Sequence, residues 1–258
     1  MNDQVNFWLQ LAFRWIHVVA GVAWIGHLYF FNFVNAHFAK TLTADNKKLV
    51  VPELLPRALY WFRWGAAWTF ITGVLLAGMV YYMGGALFED PASGNGMVAT
   101  LVLLAGLVGV YLYDVIMRSV KNVVVANTIV LVLLAIVYAA MAYVAKFNGR
   151  ALYIHVGALL GTAMAFNVWM RIWPAQKKII TAIKEGAAPD ADLVALAGLR
   201  SRHNTFMSVP LIFFMISNHY PTVTYGTELR DVWAAVILGV GFLATKWLYN
   251  KSAKVPGF

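Results

Sequence analysis

Arg14 and His17 stand three residues apart in an otherwise apolar run, so a helix projects both from one face. Trp24 follows seven residues after His17, two turns on along nearly the same stripe, with Gly21 between them. An imidazole in this setting can serve as an axial ligand to haem iron, and an arginine beside it can hold a propionate or an anionic substrate. The plainer alternative is a polar contact between helices. Gly21 suits either, because it lets a flat group or a second helix approach closely. His27, Asp114, His155, Asn167 and Arg171 interrupt apolar runs in the same way, and His203 and His219 bracket a short one. An ionisable side chain at the centre of a membrane span costs about 2.5–3.5 kcal/mol on insertion scales, so such residues usually face a bundle interior and mark a site. The clusters Ser201-Arg202-His203-Asn204-Thr205 and Ser217-Asn218-His219-Tyr220-Pro221 place hydrogen-bonding groups at both ends of the short span, which insertion does not require.

The elements that must position these residues follow from composition. The chain has 258 residues, 61% of them hydrophobic and 12% charged. A soluble domain carries about 25% charged residues, so the deficit predicts a protein solvated by lipid. Apolar segments of about 20 residues are needed to cross a bilayer, and they must be helical because lipid offers the backbone no partners. They are expected at Phe7–Asn35, Ala58–Met83, Met97–Met117, Val123–Ala145, Ala151–Trp173, Asn204–Ser217 and Asp231–Tyr249, the sixth being short and carrying Pro210. The expectation is an all-α, polytopic bundle of about seven transmembrane helices forming a single membrane domain over residues 1–258. One sizeable polar loop is expected at about residues 174–203, with a short amphipathic helix at Lys177–Glu185 and a break at Gly186–Ala191.

Lysines and arginines crowd the first, third and fifth connections and the tail, among them Lys40, Lys47, Lys48, Arg118, Lys121, Lys177, Lys178 and Lys251, while the opposite side holds Lys146, Arg150 and Arg230. The positive-inside rule then puts the N-terminus outside and the C-terminus in the cytoplasm. The net charge of +9 reports this topology and not a nucleic-acid partner. The N-terminal segment has no basic region of the signal-peptide kind. In this orientation His17, His155 and His219 fall in the outer half of the membrane, His27 in the inner half and His203 near the cytoplasmic surface. A bis-histidine haem needs imidazoles on different helices at one depth, which His17, His155 and His219 can supply.

The absence of cysteine excludes disulfides, thiolate metal sites, Fe–S clusters and covalent c-type haem. No two histidines share zinc-type spacing. Asp114 and Arg118, four apart, are expected to pair, and Gly157 with Gly161 to form a tight packing face. Trp61, Trp64 and Trp68 read as an interfacial belt.

The runs Arg14-Trp15-Ile16-His17 through Trp24-Ile25-Gly26 and Tyr29-Phe30-Phe31-Asn32 resemble the first helix of the bacterial membrane-bound urate oxidases, or urate hydroxylases. The similarity continues at Trp61-Phe62-Arg63-Trp64, His155 to Thr162, Asn167, Pro174 to Lys178, and Arg202 to Pro221, in order along most of the chain. The resemblance implies a membrane domain of the bacterial inner membrane that oxidises urate to 5-hydroxyisourate. Electrons would leave for a cytochrome c in place of oxygen. In that family a further helix leads to a C-terminal cytochrome c domain, whereas this sequence stops at Phe258 without a Cys-x-x-Cys-His; a separate cytochrome c or respiratory-chain subunit is therefore expected as partner. Within this reading b-type haem is held by His17, His155, His203 or His219, with Trp24 beside it. Arg14, Asn204 and Asn218 position propionates or substrate. Two alternatives are a non-catalytic haem-binding electron-transfer subunit of a respiratory complex, and a copper-handling membrane protein using imidazoles and the ten scattered methionines.

Overall fold

The computed structural model describes residues 2–90, 92 and 94–255; the final residues of the tail, 256–258, lie outside the described set. The chain is 85% helical, and the described residues contain no strand, only an isolated bridge between Phe88 and Phe147. The α-helices are α1 (Asp3–Tyr29), α2 (Ala36–Thr41), α3 (Ala44–Ala77), α4 (Gly96–Ser119), α5 (Val123–Ala139), α6 (Gly149–Asn167), α7 (Trp173–Lys184), α8 (Ala191–Ile216) and α9 (Arg230–Ser252). Four π-helical segments, Phe30–Asn35, Gly78–Tyr82, Ala140–Val144 and Val168–Ile172, continue α1, α3, α5 and α6. Asparagines start three of the helices: Asn2, Asn95 and Asn122 each accept from backbone N–H groups of the first turn.

Six helical stretches among the described residues are long and apolar enough to cross a membrane: Asp3–Thr41, Ala44–Tyr82, Gly96–Ser119, Val123–Val144, Gly149–Lys184 and Arg230–Ser252. Trp15, Val22, Val124, Leu243 and Trp247 lie more than 60% exposed along them. Large apolar side chains turned outward at this density are those of a protein that lipid surrounds. The aromatic stripe follows suit, with Trp61, Trp64 and Trp68 all exposed.

The expected second span, Ala58–Met83, begins earlier, at Ala44, and among the described residues six stretches of spanning length stand where about seven were expected; the largest difference lies at 174–203. The segment expected as a polar loop at 174–203 is helical except around 185–190, and the short sixth span is the second half of α8, a helix of 26 residues. Asp190 starts it by accepting from the N–H groups of Asp192 and Leu193. Ala197 then buries against Ala175 and Ile179 of α7, with Ile183 and Leu193 around them. The polar residues that masked this helix in sequence, Arg200 and Asn204, are fully buried. The break itself falls where expected, at Gly186, whose φ of +78° favours glycine.

The chain forms two compact units. The first comprises the described parts of Met1–Val74, Met164–Pro210 and Leu238–Phe258; the second is Leu75–Ala163 with Leu211–Ile237. In the first, α1 and α3 run antiparallel and touch through backbone: a Cβ on Gly65 would stand 3.0 Å from Trp24 N and 3.1 Å from Ala20 O. In the second, α6 meets α8 at Gly157, beside Phe214 and Met215, and at Gly161, beside Leu211, the packing face read from sequence. Here too Arg118 pairs with the buried Asp114 at 3.0 Å, as their spacing predicts.

Candidate functional site

In the first unit the stripe His17-Gly21-Trp24 faces α3, so the close approach that Gly21 permits is made by a helix. Thr69 lies 3.8 Å from where a Gly21 Cβ would be. His17 rests on Gly73, whose Cβ would meet the imidazole Cε1 at 3.1 Å. Its Nδ1 is 3.2 Å from Thr72 Oγ1. Thr72 donates its own proton to the Trp68 carbonyl at 2.6 Å, so its oxygen accepts from His17. Nδ1 thus carries the hydrogen, and Nε2 keeps a lone pair for another partner. Arg14, one turn before, is exposed. Trp24 is 2% exposed, and its indole N–H finds no acceptor among the described residues.

Asn204, also in this unit, has both ends of its amide engaged. It donates to the Met164 carbonyl at 3.0 Å and accepts from Asn167 at 2.8 Å, entirely within the buried core. Around it Asn32 donates to Ser201, Tyr249 donates to Asn32, and the hydroxyls of Tyr29 and Ser208 lie 3.0 Å apart. His203 sits half-buried on α8 beside this network.

The second unit holds His155, 3% exposed. Its Nδ1 donates to the Ala151 carbonyl at 2.7 Å, one turn back on α6, and Nε2 lies 3.2 Å from the Tyr82 hydroxyl. With Nδ1 as donor, Nε2 accepts from Tyr82. Three rings enclose the imidazole edge to face, those of Phe147, Tyr81 and Tyr82 at 4.9, 5.4 and 5.8 Å between centroids. Local structure places each of them. Tyr81 and Tyr82 are consecutive residues on the π-helical end of α3, straddling the ring. Phe147 is brought back by Lys146, whose φ of 54° lets the Phe147 N–H reach the Met141 carbonyl at 2.9 Å. Beyond Tyr81, the Arg150 guanidinium stands 5.9 Å from the Tyr81 ring.

Arg150 opens onto a recess of about 810 Å³ whose rim includes Phe88, Glu89, Asn148, Tyr225, Glu228 and Asp231. Asp231 is tied into the wall: Tyr138 and Tyr143 donate to its two oxygens at 2.6 and 2.5 Å, and Arg230 Nε lies 3.4 Å away. Asn218 borders this region, accepting from Tyr225 at 3.4 Å, and His219 beside it is exposed.

The histidines singled out in sequence are thereby divided, His17 and His203 in the first unit, His155 and His219 in the second. Arg14, Asn204 and Trp24 belong with the former pair and Asn218 with the latter. Among the described residues no three His, Asp or Glu side chains gather as a metal site. Tyr81, Tyr82 and Arg150 were missed by sequence reasoning; the only signal was a pair of tyrosines at a helix end and an arginine read as a loop charge.

Neither a curated protein nor a solved structure shows significant similarity to the chain. A family model described as urate oxidase N-terminal matches residues 3–48 and 42–256. That match runs through both units, and the chain belongs to the urate oxidase N-terminal family.

Proposed function

We propose that the chain is a membrane oxidoreductase of the urate-oxidising type that passes electrons to a separate cytochrome c. Family membership carries this reading. In the reaction urate and water give 5-hydroxyisourate, two protons and two electrons, so the protein must hold a planar purine anion, move protons and hand on electrons singly.

A b-type haem would supply the one-electron acceptor. The residues at His17 suit such a group. Nδ1 is anchored to Thr72, which fixes the tautomer and ring angle, and Nε2 remains for iron. Trp24, a buried donor with no acceptor among the described residues, suits a propionate or a substrate oxygen. His203 is the second candidate in the same unit. At His155 the fit is poorer, because Nε2 is engaged by Tyr82 and three rings close around it. His155 is better suited to exchanging a proton with Tyr82 than to ligating iron. The lysine and arginine bias along the connections supports an outward N-terminus in a bacterial inner membrane.

The test is a reduced-minus-oxidised absorbance spectrum of the detergent-purified chain, before and after urate under anaerobic conditions. A b-type α-band that develops with urate is expected, and His17→Ala should abolish it. Haem reduced by dithionite but not by urate would point to an electron-transfer subunit or another substrate. An unchanged spectrum in His17→Ala would remove His17 as ligand.

A further inference from the structure

The charges around the recess of the second unit have opposite signs, and among the described residues Arg230 and Asp231 alone of them form an ion pair. Arg150 stands 5.9 Å from the Tyr81 ring and, among the described residues, pairs with no carboxylate. Glu89 and Glu228 line the same space, exposed and, among the described residues, without an ion pair. Arg230 and Asp231 are different, since they pair with each other and Asp231 also accepts from the two tyrosines. The free recognition groups are therefore one forked donor and two acceptor-only carboxylates, facing a space within the range of about 300–1,000 Å³ usual for small-molecule sites.

We propose that this recess binds a planar ring bearing a ureide edge, with Arg150 on its carbonyl oxygens and Glu228 on its N–H groups. A simple anion such as phosphate would meet Glu89 and Glu228, and a simple cation would meet Arg150. A –CO–NH– edge presents acceptor and donor side by side and satisfies both. The guanidinium fork matches adjacent oxygens in a plane. Tyr225 and Phe88 supply aromatic surface for the ring face. Arg150 also stands over the Tyr81 ring, and that ring packs on His155, so the bound ring is one residue removed from the Tyr82–His155 pair. The inference rests on the oxidoreductase reading for the identity of the ring, and on the lining alone for its chemistry.

The experiment is equilibrium dialysis of the full detergent-purified chain with radiolabelled urate and xanthine under anaerobic conditions, with inorganic phosphate as competitor. Arg150→Ala and Glu228→Gln should each weaken urate binding at least about tenfold, the weight of one charge-assisted hydrogen bond. Phosphate should not compete. Arg150→Lys, which keeps the charge and loses the fork, should fall between wild type and alanine; an unchanged unfolding midpoint in all three variants separates binding from folding. Urate turned over at an unaltered rate, with binding insensitive to both positions, would overturn the recess and leave the oxidoreductase reading standing. Xanthine bound in an Arg150-dependent way without any turnover of urate would keep the recess and remove urate as substrate. Phosphate competing as well as xanthine, or neither ring binding, would overturn the inference.

Discussion

The two units dispose of their polar side chains in opposite ways. In the first, Asn32, Ser201, Tyr249, Asn167 and Asn204 bond to one another or to a neighbouring backbone, and the network is buried or half-buried. Trp24 is the exception, a buried donor without an acceptor among the described residues. In the second, one histidine is boxed by aromatic rings, and beyond it Arg150, Glu89 and Glu228 line a recess, none of them in an ion pair among the described residues. Interhelical hydrogen bonds in a bundle hold helices together when they close on themselves. Groups left open around a space are disposed for a ligand. Polarity inside a membrane protein is thus not by itself a mark of a site; what separates the two regions is whether the partners are already present.

The largest effect expected from this contrast is on packing. At Gly65 a new side chain would run into the backbone of α1, which cannot turn aside. Gly65→Val should cost about 2–3 kcal/mol or leave no folded protein. At Gly157 in the second unit the nearest atom is the Met215 methyl, 2.9 Å from the new Cβ, at the end of a flexible chain. Gly157→Ala should cost about 1 kcal/mol or less. Unfolding in detergent, followed by circular dichroism, compares them directly. Equal losses would show that the α1–α3 crossing is no tighter than the α6–α8 one.

A smaller effect distinguishes the two asparagines drawn from sequence as substrate-positioning groups. Asn204→Ala removes two buried hydrogen bonds, a loss of about 1–2 kcal/mol. Asn218→Ala, at a half-exposed position, should change stability by no more than about 0.5 kcal/mol. If urate binding follows Asn218 and stability follows Asn204, the difference between closed and open polar regions holds at single residues. Binding lost in Asn204→Ala at unchanged stability would return Asn204 to the site.

Much of this was legible before the structure, and the part that was not has a physical cause. Apolar length and the helix requirement marked the spans, and i,i+4 spacing gave the Asp114–Arg118 pair, because both depend on local periodicity. The helix over Ala191–Ile216 was obscured because Arg200, Asn204 and Ser208 look like loop residues until their burial against other helices is known. The His17 stripe was correctly read as a face, but sequence left open what covers it, and α3 does so through Gly65, Thr69 and Gly73. The Tyr81–Tyr82–His155–Phe147 cluster joins two stretches far apart in sequence, and three of its members depend on a π-helical turn or on a positive φ at Lys146. Hydropathy carries no trace of either.

Tyr82→Phe makes the finest cut between the regions. The substitution keeps the ring against His155 and removes one hydroxyl, so His155 Nε2 loses its donor while the aromatic box stays filled. A buried hydrogen bond of this kind contributes about 0.5–1.5 kcal/mol, and the stability loss should lie in that range. If the second unit handles the proton of the reacting ring, kcat for urate should fall by about tenfold or more with KM little moved, since the hydroxyl acts on proton transfer and not on binding. A rate that falls while the ring still binds would separate Tyr82 from Arg150, whose loss acts on affinity. Stability reduced with kcat intact would mean that the Tyr82–His155 bond only joins helices, as the Asn204 bonds do in the first unit, and that Arg150 and Glu228 hold the ring without help from the buried pair.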